Sequence, residues 1–167
     1  MSMYVCYCLL KNGSGSLRIA SRLSEFQKHY EKACEPELPQ QAFVYGDGEA
    51  VSLPFKTYPK GWRTGMDAGM QRCRTQDLLA LSWRLLESAM RGKRESVFKL
   101  IILADGPVRA EQESEVLTIG LLKELKEKGL EIVFACCSPE ADSSLPEALA
   151  GRKIGAGEDT EAALGGS

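Results

Sequence analysis

The sequence predicts an α/β sandwich: a mostly parallel central sheet with one antiparallel edge strand and helices on both faces. Three observations carry this prediction. Short apolar runs alternate with amphipathic stretches along the chain, which is the order of strand and helix in a sheet covered on both sides. Only one pair of runs is joined by a turn tight enough for a hairpin. The first run, Tyr4 to Leu10, is continuous in apolar and aromatic residues, as expected of a strand buried on both faces.

Tyr4 to Leu10 is the first such run, and it gives way to the polar loop Lys11-Asn12-Gly13-Ser14-Gly15-Ser16. Ile19, Leu23, Phe26 and Tyr30 then recur at helical spacing, with Arg22, Glu25 and Lys28 between them, and the helix is expected to stop before Pro36. Ala42 to Tyr45 and Ala50 to Phe55 are short strands joined through Gly46-Asp47-Gly48, and Pro54 marks the second as an edge strand. After the loop from Tyr58 to Gly65, Leu78, Leu79, Leu81, Leu85, Leu86 and Ala89 form the apolar face of a long helix closed by Gly92 and Lys93-Arg94. Val97 to Ala104 is a buried strand ending in Asp105-Gly106-Pro107. Val116, Ile119, Leu122 and Leu125 predict the next helix, capped by Gly129, and Leu130 to Ala135 the next strand. Ser144 and Glu147 have capping-box spacing for a short helix ended by Gly151. The expected core is Val5, Leu9, Ile19, Leu23, Phe26, Leu85, Ile101, Leu103, Ile119, Leu122, Ile132 and Phe134. One domain is expected over 1–155. The glycine- and alanine-rich tail over 156–167 is given no structure, and its final Gly-Gly-Ser has the composition of an appended linker.

The chain has 167 residues, 44% of them hydrophobic, which suffices for one substantial core and not for two domains. A formal charge of −2 supplies no field that would gather nucleic acid or an anionic membrane. The run from Met3 to Leu10 is too short for a membrane span and lacks the flanks of a signal peptide. Six scattered cysteines, Cys6, Cys8, Cys34, Cys73, Cys136 and Cys137, read as reduced thiols of a cytoplasmic protein; neither Cys6-Tyr7-Cys8 nor Cys136-Cys137 has zinc-ligand spacing. The single histidine, His29, reads as a solvated surface residue.

Oxygen-bearing residues cluster at the predicted carboxyl ends of the strands, where ligands bind in open α/β sheets. Asn12, Ser14 and Ser16 follow the first strand, Thr64 precedes the second long helix, and Asp105 follows the Val97 to Ala104 strand. Asn12-x-Ser14-x-Ser16 is similar to the Asp-x-Ser-x-Ser signature of von Willebrand factor A domains, with asparagine in place of the first aspartate. Thr64-Gly65-Met66-Asp67-Ala68-Gly69-Met70 resembles that family's threonine loop, and Ile102-Leu103-Ala104-Asp105-Gly106 its apolar strand ending in Asp-Gly. The resemblance covers roughly Tyr4 to Leu149 and includes the antiparallel edge hairpin. It implies a three-layer Rossmann-like fold and a metal-ion-dependent adhesion site.

In such a site a hard cation, Mg²⁺ or Mn²⁺, takes oxygen ligands from Asn12, Ser14, Ser16, Thr64 and Asp105, directly or through water, and an acidic residue of a partner protein completes the shell. Asn12 removes one negative charge from beside the cation and lowers its affinity. Asp67 reads as an acid at a helix N-terminus. The resemblance also admits a metal-free scaffold of an intracellular complex, in which the fold alone presents a protein-binding surface. A phosphate-binding Rossmann-like enzyme would use Gly13-Ser14-Gly15 at a helix N-terminus, but the phosphate-loop lysine and third dinucleotide glycine are missing, and Asp47 lies in the hairpin turn. A serine hydrolase built on Ser14 or Ser16 finds no histidine nearer than His29, in mid-helix.

Overall fold

The computed structural model describes residues 2–11, 17–60, 70–93, 95–108, 113–141, 145–149 and 151–165. In chain order the elements are β1 (Met3–Leu10), α1 (Leu17–Cys34), β2 (Gln40–Gly46), β3 (Ala50–Thr57), α2 (Thr75–Gly92), β4 (Val97–Ala104), α3 (Glu113–Glu127), β5 (Glu131–Cys136), α4 (Leu145–Ala148), β6 (Arg152–Ile154) and α5 (Thr160–Gly165). They form one sheet of order β3-β2-β1-β4-β5-β6, parallel throughout except for the edge pair β2–β3. The strand expected to be central lies between the two neighbours expected of it, with the antiparallel strand at the edge.

The hairpin turn runs through Asp47 and Gly48, whose φ of 81° only glycine adopts without strain. The β2–β3 register shifts between Gln41 and Phe43, opposite the stretch of β3 that holds Pro54. A proline that cannot donate a ladder bond is tolerated at such an irregularity. The hairpin is pinned from the second layer: the Gln71 amide donates to the Gly46 carbonyl at 2.8 Å, and a side chain at Gly46 would meet Cys73 Cβ at 2.5 Å. Backbone that close leaves room for glycine alone.

Alternation along β1 divides the core. Val5, Tyr7 and Leu9 point to the α1 side with Ile19, Leu23, Phe26 and Tyr30, while Tyr4, Cys6, Cys8 and Leu10 point to α2 and α3. Ten of the twelve expected core residues are buried; Leu85 and Ile119 are half-buried against the α2–α3 side. The larger correction concerns α3. Its buried stripe is Thr118, Leu122 and Leu125, and Val116 is 69% exposed. Thr118 takes the inner place because its hydroxyl accepts from Gln76 Nε2 of α2 at 2.9 Å, which turns Val116 and Leu117 outward.

Three further differences follow from contacts distant in sequence. The long second helix begins at Thr75, preceded by Met70 to Arg74, which are not helical. The tail, given no structure on composition, carries α5, with Thr160 and Leu164 buried. α5 is held by α1 residues one turn or more apart: Arg22 donates to the carbonyls of Glu158 (2.7 Å) and Gly155 (3.2 Å), Glu25 accepts from Thr160 (2.5 Å), and His29 pairs with Glu161 (3.2 Å). His29 is therefore an interface residue with a side chain 20% exposed, and not a solvated one. No helix among the described residues is long and apolar enough to cross a membrane.

Candidate functional site at the carboxyl ends of the strands

Five residues were expected to converge at the carboxyl ends of the strands. Asn12, Ser14, Ser16 and Thr64 lie outside the described residues, as does Asp67. Asp105 is described, and its position is built by three strands. From Leu100 to Ala104 β4 is apolar and buried without a break, so the first polar residue after it emerges where the sheet ends. The Asp105 amide donates to the Leu10 carbonyl at 3.4 Å, setting the residue against the end of β1, directly before the Asn12 loop in sequence. On the other side the Cys137 amide donates to the Ala104 carbonyl at 2.8 Å, and Ser138 Oγ donates to the Asp105 carbonyl at 2.6 Å. Asp105 is only 3% exposed.

Ser138 is a positioning residue that the sequence reading passed over. Its only sequence signal is weak: it is the first hydroxyl after the β5 apolar run, and only the structure puts it at the same sheet end as Asp105. Arg22, read as one of the polar residues between the apolar positions of α1, is buried as well. Cys137 completes the group. Burial chiefly pushes its thiol up to about 12, with nearby Asp105 adding to the rise and Arg22 opposing it. The thiol is thus protonated at neutral pH and is no nucleophile, since thiolate is the reactive form.

Among the described residues no three histidine, cysteine, aspartate or glutamate side chains gather as a metal-binding group. The local chemistry is that of one buried carboxyl residue whose backbone is held by the Leu10 carbonyl of β1 and by the Ser138 hydroxyl after β5. In a cation site it would supply one hard oxygen ligand, with the rest drawn from the neighbouring loops.

The sequence matches no protein-family model and no curated relative. Comparison of folds does find likenesses. The N-terminal domain of TFIIH p34 superposes with a TM-score of 0.56 at 11% identity, over 98% of this chain and 95% of that one. Proximal thread matrix protein 1 of the mussel byssus superposes with a TM-score of 0.50 at 13% identity, over 93% of this chain and 42% of the mussel protein. A form of the same mussel protein described with a zinc-occupied MIDAS motif aligns with a TM-score of 0.43 at 15% identity, over 81% of this chain and 35% of that one. At these identities the first two speak for fold. Together with the sheet order and its single antiparallel edge pair, they show that this chain has a von Willebrand factor A-like fold.

Proposed function

We propose that the chain is a protein-interaction module in which the fold itself, without a resident ion, presents the binding surface at the carboxyl ends of β1, β4 and β5. The observation that carries this reading is Asp105: it is a buried residue held by the Leu10 carbonyl and the Ser138 hydroxyl, while the first motif position, two residues after Leu10 in sequence, is the neutral Asn12. A cation there would meet one carboxylate where the family pattern has two, and loses Coulomb attraction accordingly. The protonated Cys137 thiol and the placement of His29 against α5 speak against an acid–base or nucleophilic enzyme. The near end-to-end likeness to the p34 domain of TFIIH supports reading the chain as one module of the same kind. Six free cysteines suit a reducing, cytoplasmic setting.

A second reading keeps the metal: Asn12, Ser14, Ser16, Thr64 and Asp105 hold Mg²⁺ or Mn²⁺, and an acidic residue of a partner protein completes the shell. What favours it is the Asp105–Leu10 bond, which sets the third motif against the end of β1, two residues before Asn12 in sequence. Titration calorimetry with both ions separates the two. On the metal-free reading neither ion binds the wild type. On the metal reading the wild type binds, Asp105→Ala abolishes binding, and Asn12→Asp tightens it by roughly tenfold to a hundredfold, the worth of about 1–3 kcal/mol of added attraction in a partly desolvated crevice.

A further inference from the structure

The opposite end of the sheet holds a concavity. It lies between the C-terminal turns of α2 and α3 and the start of β4, with a volume of about 360 Å³. Met90, Phe98 and Leu125 supply its apolar surface, and Arg91, Lys93 and Lys128 its charged one. Phe98 and Leu125 are buried core residues, so this part of the wall is rigid. Ser96 in the wall and Asp105 bracket β4, nine residues apart along an extended strand, or about 30 Å. The concavity is therefore remote from the carboxyl ends of the strands.

The charge of this site is out of keeping with the chain. The protein carries −2 overall, yet three cations meet here with one carboxylate, Glu87, which is bonded to Arg91 at 2.5 Å. Lys93 stands over the Tyr4 ring, 5.2 Å from its centroid, and Tyr4 in turn stacks on Phe98. Neither Lys93 nor Lys128 has a carboxylate partner among the described residues. Basic side chains at helix C-termini offset the dipole, which accounts for some of this charge. It does not account for an open hollow of mixed polar and apolar lining between the two helix ends.

The same helix ends constrain the ligand. α2 and α3 bring carbonyl oxygens, not N–H groups, toward the hollow, so a bare anion such as phosphate finds no backbone cradle inside it. Negative charge is favourable only at the rim, at the tips of the lysines. An apolar group is favourable within. The volume lies at the low end of ligand pockets, which run to about 300–1,000 Å³, and suits one large side chain better than a cofactor.

We propose that this concavity docks an acidic peptide segment of a partner protein, one aromatic side chain entering between Phe98, Met90 and Leu125 while flanking carboxylates pair with Lys93 and Lys128. The probe is a fluorescein-labelled peptide, Asp-Glu-Phe-Asp-Glu, titrated against the full chain by fluorescence anisotropy, with amide chemical shifts locating it. Saturable binding is expected, with shifts centred on Lys93, Ser96 and Gly129. Replacing the peptide's phenylalanine by alanine should weaken binding at least tenfold, as should Lys93→Glu combined with Lys128→Glu, both exposed positions whose change leaves the core intact. An alanine peptide that binds equally well would show general charge attraction and overturn the proposal. So would a double variant that binds like wild type, shifts confined to the Asp105 end, or failure to saturate. Asp105→Ala should leave the titration unchanged, which keeps the fate of this site separate from that of the crevice.

Discussion

The helices α1 and α3 cover opposite faces of one sheet, and their sequences promise the same thing: four apolar residues at helical spacing. On α1 the promise is kept in full, and Ile19, Leu23, Phe26 and Tyr30 are all buried. On α3 the first of the four, Val116, stands 69% exposed and its neighbour Leu117 72%, while Thr118 faces inward. The difference lies in what surrounds each helix. α1 lays all four apolar residues against the sheet and meets α5 through Arg22, Glu25 and His29, so apolar contact with the sheet fixes its inward face. α3 is bounded by α2, and a hydrogen bond between Gln76 and Thr118 at the seam decides which side faces in. Apolar spacing says that a helix has a buried face; where a polar residue takes a place within that face, as Thr118 does, it leaves the rotation open by a residue or so.

The comparison is broken most directly at Phe26. It is fully buried beneath α1 and stacks on Tyr30 with ring centroids 6.3 Å apart. Phe26→Ala leaves a cavity in the layer where every expected contact is made, and a loss of about 3–5 kcal/mol is expected in urea denaturation. A loss below about 1 kcal/mol would mean that the α1 layer collapses around the gap, and that its completeness is not what makes it tight.

Alkaline pH tests both faces at once. Burial raises the thiols of Cys6 and Cys8 on the α2 side, the latter from 9.0 to about 12, and the phenols of Tyr7 and Tyr30 on the α1 side above their usual 10.0. Each group releases its proton more readily when unfolded than when folded. Their contribution to stability is therefore intact below about pH 9 and is lost progressively as pH rises toward and beyond 12. Thermal melts should show a falling midpoint above pH 9. Tyr7→Phe with Tyr30→Phe should delay that fall; an unchanged profile would place the first opening on the α2 side.

How much could be read in the sequence follows the same division. β1, the β2–β3 hairpin, β4 and α1 are each specified by residues within the element, through a continuous apolar run, a Gly-Asp-Gly turn or a stripe, and each lies where it was expected. β6 has three residues, of which only Ile154 is buried, and it becomes a strand by pairing with β5. α5 is set on the fold by Arg22, Glu25 and His29, more than 130 residues earlier in the chain. No local window contains such information. At the crevice, Asp105 was legible as a polar residue ending a buried strand; Ser138, which holds it, was not singled out because a hydroxyl after a strand looks like any loop residue until the two strand ends are seen side by side.

The smallest expected effect is also the sharpest test of why α3 differs. Leu117 makes up part of an apolar surface that the described residues leave open, whereas Leu122, five residues on, is fully buried beside α2. Leu122→Ala should cost about 2–5 kcal/mol through the cavity it leaves. Leu117→Ser removes side-chain surface that is mostly in water already, so the folding equilibrium should move by no more than about 0.5 kcal/mol in either direction. Solubility should improve, because an exposed apolar face promotes association. The pair of measurements fixes the rotation of α3 without reference to any ligand. If Leu117→Ser proved as costly as Leu122→Ala, the outer face of α3 would have to be covered in the folded protein, and Thr118 would lose its place as the residue that sets the helix.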